Sequence, residues 1–299
     1  MPDYKEIVSE IQGYTAVPAW DTVRQKYVER LHLKVQRNVI LYYSAWLNKP
    51  ESYLLSGIND LDMNGFMCVT RGLDKTKGLD LVLHTPGGNL AATEAIGEYL
   101  KKQFNNDIRV IVPHLAMSGG TLLSFAAKQI LMGSYSSLGP TDPLFNGISA
   151  QGVCEEFDEA MKSVKENPTS VEIWKYIISK YPAAYVGKCK QAVSWSEEIA
   201  TRWLKEGMFE DIEDKNKQNE LVKKIVEGFG NYKKTKSHDR HFMMDQCQEM
   251  GLVVMPLDQD KELQDAVLSV HHACMYATGV TSIVKMIENH QGKTQVIIG

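Results

Sequence analysis

Apolar residues along this chain follow two periods. Short, mainly apolar runs occur at Leu79–Leu83, Ile108–Val112 and Ile130–Met132, the first two holding one charge each. Such runs fit strands covered on both faces. Between them the apolar positions recur every three or four residues, the spacing of amphipathic helices. A helix is expected from Leu90 to Gln103, burying Ala92, Ala95, Ile96, Tyr99 and Leu100, and another from Ser118 to Lys128. Upstream, Asp21 caps a stretch with Val23, Tyr27, Val28 and Leu31 at helical spacing. Asn38–Trp46 reads as the first strand and Ile58–Leu73 as a helix. Strands and helices alternate at intervals of roughly 25–30 residues, which predicts parallel βαβ units.

Downstream of Gln151 the pattern changes. Helical spacing covers 152–166, 171–180, 191–206 and 215–228, punctuated by Pro168 and Pro182. One more helix is expected over 238–250, a strand at Leu252–Met255 and a final helix over 261–276. The tail 278–299 ends in Val296-Ile297-Ile298, read as an edge strand. The fold class is thus α/β, a mostly parallel sheet with a helical C-terminal part. Its expected organisation is an N-terminal arm (1–20), a core (21–150) and an extension (151–299) with a returning strand and helix, continuous with the core.

Composition narrows the function classes. Of 299 residues 43% are hydrophobic and 23% charged, an ordinary globular balance. The net charge of −4 argues against a general nucleic-acid binder. Five cysteines occur without any Cys-x-x-Cys, which argues against a disulfide framework and a thiolate metal site. His238-Asp239-Arg240-His241 lacks the His-Glu-x-x-His arrangement, so no metal and no cofactor are expected. The N-terminus has no basic-then-apolar signal, and no apolar run reaches the ~18 residues of a membrane span. A cytoplasmic protein is expected.

Candidate chemistry concentrates at two strand-to-helix turns, His84-Thr85-Pro86-Gly87-Gly88 and Met117-Ser118-Gly119-Gly120-Thr121. Sites in parallel sheets form at the carboxyl ends of strands, where both turns lie. Acyl transfer needs a nucleophile and hydrogen-bond donors for the developing oxyanion. Glycine leaves its N–H open to approach. Ser118 is therefore the candidate nucleophile, with Gly87, Gly88 and Gly119 as the candidate oxyanion hole. Neither Gly-x-Gly-x-x-Gly nor Gly-x-x-x-x-Gly-Lys is present, which disfavours phosphate binding.

The segments LHTPGG, PHLAMSGGTLLSFAA and SSLGPTDP together resemble the serine dehydrogenase proteinase family of Clp-fold serine peptidases. These are relatives of the Clp proteolytic subunit and of signal peptide peptidase A in the crotonase-like superfamily. SHDRHFMMDQCQEMGLVVMPL and the flanking segments are similar to it too, over roughly residues 20–277. The resemblance implies a Clp/crotonase-like fold, Ser118 as nucleophile and Gly87, Gly88 and Gly119 around the oxyanion. It also implies a peptide or protein substrate and a homo-oligomer. The Clp proteolytic subunit uses a His downstream of its Ser. The corresponding stretch here, Gly139-Pro140-Thr141-Asp142-Pro143, has none. Signal peptide peptidase A uses a Lys, for which Lys162 and Lys165 are the candidates here. His84 and His114 compete for the role, and Asp142 either orients the base or makes a turn before Pro143. Two other functions remain open: a crotonase-like acyl-CoA enzyme and a non-catalytic scaffold subunit of the same fold.

Overall fold

The computed structural model describes residues 3–15 and 18–299. Seven strands form the main sheet. From one edge to the other they are Val254–Pro256, Gln129–Met132, Ile108–Val112, Leu79–His84, Asn38–Ser44, Ile283–Asn289 and Thr294–Ile298. The first five run parallel, and the last two add antiparallel. Helices cover both faces, as parallel strands require. On one face lie Leu61–Thr70, Leu90–Phe104, Gly119–Phe125, Tyr185–Glu206 and Lys215–Gly230. On the other lie Tyr4–Gly13, Ala19–Val35 and Lys261–Val280. Alternation along Leu79–His84 divides its side chains. Leu79, Leu81 and Leu83 enter the first core, whereas Val82 enters the second.

The expected arm at 1–20 contains the helix Tyr4–Gly13, and the next helix begins at Ala19; residues 1, 2, 16 and 17 lie outside the described ones. The extension returns three strands to the sheet: the two expected near Leu252–Met255 and at the tail, and one that was not expected. Ile283–Asn289 reads IVKMIEN, and its two charges hid it from the apolar pattern, yet every residue is buried. Each charge meets a buried partner. Lys285 Nζ lies 2.7 Å from Asp62 Oδ1, and Arg24 Nε lies 2.5 Å from Glu288 Oε2. Pairing of this kind offsets the desolvation of charges in the interior. The helix expected over 238–250 is confined to Met244–Met250. The residues before it, Phe242–Met243, pair with Ser137–Leu138, which in turn pair with Leu115–Ala116. This small three-stranded sheet frames the Ser118 turn. Among the described residues no helix is long and apolar enough to cross a membrane.

Candidate active site

The two glycine turns face each other. A Cβ placed on Gly87 would lie 2.6 Å from Ser118 Cβ, 2.7 Å from Gly119 N and 2.7 Å from Met117 O. Only a residue without a side chain permits that approach, and the φ of +90° at Gly87 favours glycine independently. A short bridge joins the turns behind the site: Thr85 N–H donates to Leu115 O at 3.1 Å and Met117 N–H donates to Thr85 O at 3.0 Å. Ser118 itself has φ 50° and ψ −112°. Such backbone in a non-glycine residue costs on the order of 1–3 kcal/mol and persists only where its surroundings impose it. Ser118 is half-buried at the head of the helix Gly119–Phe125.

Hydrogen bonding aims the Gly88 N–H. Ile58 N–H donates to Gly87 O at 2.7 Å, and Asn89 N–H donates to Ile58 O at 2.8 Å. The Gly87 carbonyl and the Gly88 N–H share one planar trans peptide, so they point in opposite directions. With the carbonyl held by Ile58, the N–H projects away from Ile58, towards the Ser118 turn. There a Cβ on Gly119 would sit 3.4 Å from Gly88 N. Among the described residues neither the Gly88 N–H nor the Gly119 N–H has an acceptor. Two donors thus converge beside Ser118, the arrangement an oxyanion needs.

A buried ion pair fixes the segment that holds the Gly87 carbonyl. Asp62 accepts from Lys285 Nζ, from Tyr42 Oη at 2.8 Å and from Asn59 N–H at 3.0 Å. Lys285 Nζ also donates to Gly57 O at 2.7 Å. Residues 57–59 are therefore tied to the sheet on both sides of Ile58. Burial lowers the Lys285 pKa while Asp62 opposes that shift.

Asp142 lies on the continuation of the strand beside the Ser118 strand. Ala116 pairs with Leu138, so Ser118 stands two residues past that pair and Asp142 four. Thr121 Oγ1 clamps the two strand ends, lying 2.9 Å from both Ala116 O and Gly139 O. Thr141 is held by Phe229 O and by Ser196. The Asp142 side chain is buried, and its Oδ1 lies 2.9 Å from His238 Nδ1. His238 is half-buried in the turn before Phe242–Met243, the third strand of the small sheet. Ser118 Oγ has no hydrogen-bond partner among the described residues. The sequence gives no route to this pair: its members stand 96 positions apart, and His238 belongs to no recognised catalytic motif.

The other expected base residues lie elsewhere. His84 follows Val82 on the face opposite the Gly119–Phe125 helix. Its Nδ1 accepts from Leu115 N–H at 3.3 Å, and burial holds its pKa well below the usual value. His114 stacks against it, with ring centroids 5.6 Å apart. Its pKa is also lowered, first by burial and then by nearby His241. Lys162 and Lys165 are exposed on the helix Ala150–Glu166. Lys162 lines a surface cleft with Glu155, Glu159, Tyr232 and Lys233, and that cleft contains neither Ser118 nor a glycine turn. Among the described residues no group of three ligating side chains is placed to hold a metal.

Two proteins of Methanocaldococcus jannaschii that carry no described function, MJ0137 and MJ1495, are similar to this chain. Each is 29% identical, over 193 residues (64% of this chain, 59% of MJ0137) and 176 residues (59% of this chain, 51% of MJ1495). The matches thus span between half and three fifths of those relatives. Residues 53–267, which include both glycine turns, the Asp142–His238 pair and the small sheet, match the family described as ClpP-like SDH-type serine proteinase. The chain belongs to this family of ClpP-like serine proteinases.

Proposed function

We propose that this protein is a serine peptidase that cleaves peptide or protein substrates through an acyl-enzyme on Ser118. The observation that carries the reading is the convergence of the Gly88 and Gly119 N–H groups beside a backbone-strained Ser118. His238 is the general base and Asp142 its orienting carboxylate. Because Asp142 accepts at Nδ1, the His238 proton resides there and Nε2 is left to accept one. The dyad closes on Ser118 Oγ when substrate is bound, since catalytic hydrogen bonds in free enzymes are often long.

The reaction follows from these positions. Ser118 Oγ attacks the scissile carbonyl carbon as its proton passes to His238 Nε2. The carbonyl oxygen becomes an oxyanion that accepts from Gly88 and Gly119 N–H. Collapse of the tetrahedral species breaks the C–N bond, and the amine leaves with the proton from His238. Water then repeats the sequence on the ester, releasing the acid and restoring Ser118.

Labelling with a fluorophosphonate, which phosphonylates an activated serine, separates the base candidates. His238→Ala is expected to lower the labelling rate by about 10²-fold or more, with Asp142→Asn lowering it less. Lys162→Ala and Lys165→Ala are expected to label like wild type. Loss of labelling in Lys162→Ala with His238→Ala unaffected would transfer the role to Lys162.

A further inference from the structure

A second concave site lies on the sheet face away from Ser118. It is a cavity of about 410 Å³ at the carboxyl ends of the strands Asn38–Ser44, Leu79–His84 and Ile108–Val112, closed over by the helix Lys261–Val280. Its volume falls in the range of small-molecule sites, roughly 300–1,000 Å³. Neither Ser118 nor any glycine of the two turns lines it.

The walls specify a ligand chemistry. Aromatic rings make up much of them: Tyr43, His84, His114, Tyr135 and His271. The rings of His84, His114 and His271 stand in a triangle with centroids 5.4–5.8 Å apart, and Tyr43 lies 4.5 Å from His84. Spacings of this order are those of offset and edge-to-face ring contacts, so these rings pack into one continuous aromatic wall that a planar ring can lie against. Leu268 and Met275 add apolar surface. No Asp, Glu, Lys or Arg lines the cavity, so an ionic ligand meets no counter-charge on its walls.

Two donors point the polar end. His84 Nδ1 is occupied by the Leu115 N–H, so the neutral ring carries its proton on Nε2 and donates from there. Tyr135 Oη accepts from Gln264 Nε2 at 3.4 Å, which leaves its hydroxyl hydrogen to donate. The same tautomer argues against a metal, because a protonated Nε2 is no ligand. Burial pushes the His271 pKa down to about 3 and lowers those of His84 and His114, so a cation is disfavoured as well.

We propose that this cavity binds a small uncharged aromatic carbonyl compound, its ring packed against the wall of Tyr43, His84, His114 and His271 and its oxygen accepting from His84 and Tyr135. The inference does not depend on the peptidase reading, because the two sites share no residue.

Calorimetric titration of the full chain with naphthalene-2-carboxamide tests it, with naphthalene-2-carboxamidine as the cationic counterpart. Saturable one-to-one binding of the amide is expected, with the amidine at least about tenfold weaker. His84→Phe keeps a ring and removes the donor. It should weaken the amide by about tenfold, the order expected for one buried hydrogen bond. Leu268→Trp fills the cavity and should abolish binding; if it fails to fold, Met275→Trp fills it from another wall. Ser118→Ala should bind as wild type does. The proposal is overturned if the wild type shows no saturable binding, if the filled variants bind unchanged, or if Ser118→Ala loses binding.

Discussion

Replacing Gly87 with alanine tests the contact on which the active site depends. The added Cβ would stand 2.6 Å from Ser118 Cβ and 2.7 Å from Gly119 N, where carbon contacts are optimal at roughly 3.5–4.0 Å. Relief requires the two turns to part by about an ångström, which takes the Gly88 and Gly119 donors off a shared oxyanion. Loss of one such donor lowers turnover by about 10²–10³-fold, so Gly87→Ala should lower the fluorophosphonate labelling rate by at least about 10²-fold. The φ of +90° adds backbone strain of about 1–3 kcal/mol. The fold should survive that loss, with a melting temperature lower by several degrees. Gly147 provides the control, since its φ is +79° but a Cβ there meets nothing within 4 Å. Gly147→Ala carries the strain without the collision, so it should lose some stability and keep its labelling rate. A Gly87→Ala protein that labels as fast as Gly147→Ala would show that the close approach of the two turns does not hold the oxyanion donors in place.

Other consequences follow from the buried charges. Lys285→Met leaves Asp62 uncompensated and should destabilise the fold by about 3–5 kcal/mol in denaturant titration, while Asp62→Leu in the same chain should recover most of it. The double variant should still label slowly, because residues 57–59 lose their anchor; full labelling would break the link between this pair and the oxyanion turn. His271 governs a pH effect. The unfolded chain takes up a proton there near pH 6.5, whereas the folded chain refuses it until about pH 3. Its contribution is complete above pH 6.5 and is lost as pH falls towards 3, by up to roughly 4–5 kcal/mol at 1.36 kcal/mol per unit. His271→Phe should flatten that part of the acid-unfolding curve, and an unchanged curve would contradict the assignment. The homo-oligomer expected from the sequence would cover Val171, Ile173 and Tyr176, exposed on the helix Val171–Ile178. Sedimentation should then show more than one chain mass, reduced to one by Ile173→Glu; a monomeric wild type would refute it.

Much of the fold was legible because its parallel strands are covered on both faces. Leu79–His84 and Ile108–Val112 read as mainly apolar despite a single charge in each, and the glycine pairs mark the ends of two of the strands. The strand Ile283–Asn289 was not legible, since Lys285 and Glu288 look like solvent-facing residues until Asp62 and Arg24 are seen beside them. At the site, Ser118 and the three glycines are local features that a short window can hold. The Asp142–His238 pair is a contact between distant segments, created by the pairing of Ser137–Leu138 with Phe242–Met243. His84 shows the converse. Next to the oxyanion turn in sequence, it is sent to the opposite face by the alternation of the strand.

On the proposed reading, Ser118 is a nucleophile activated at the junction of the two glycine turns. Mass spectrometry of the wild-type protein after fluorophosphonate treatment locates the reactive atom. A single adduct on the peptide containing Ser118 is expected, absent from Ser118→Ala and slowed in His238→Ala. Folded wild-type protein that takes up no adduct, or takes it up on another residue, would contradict the claim.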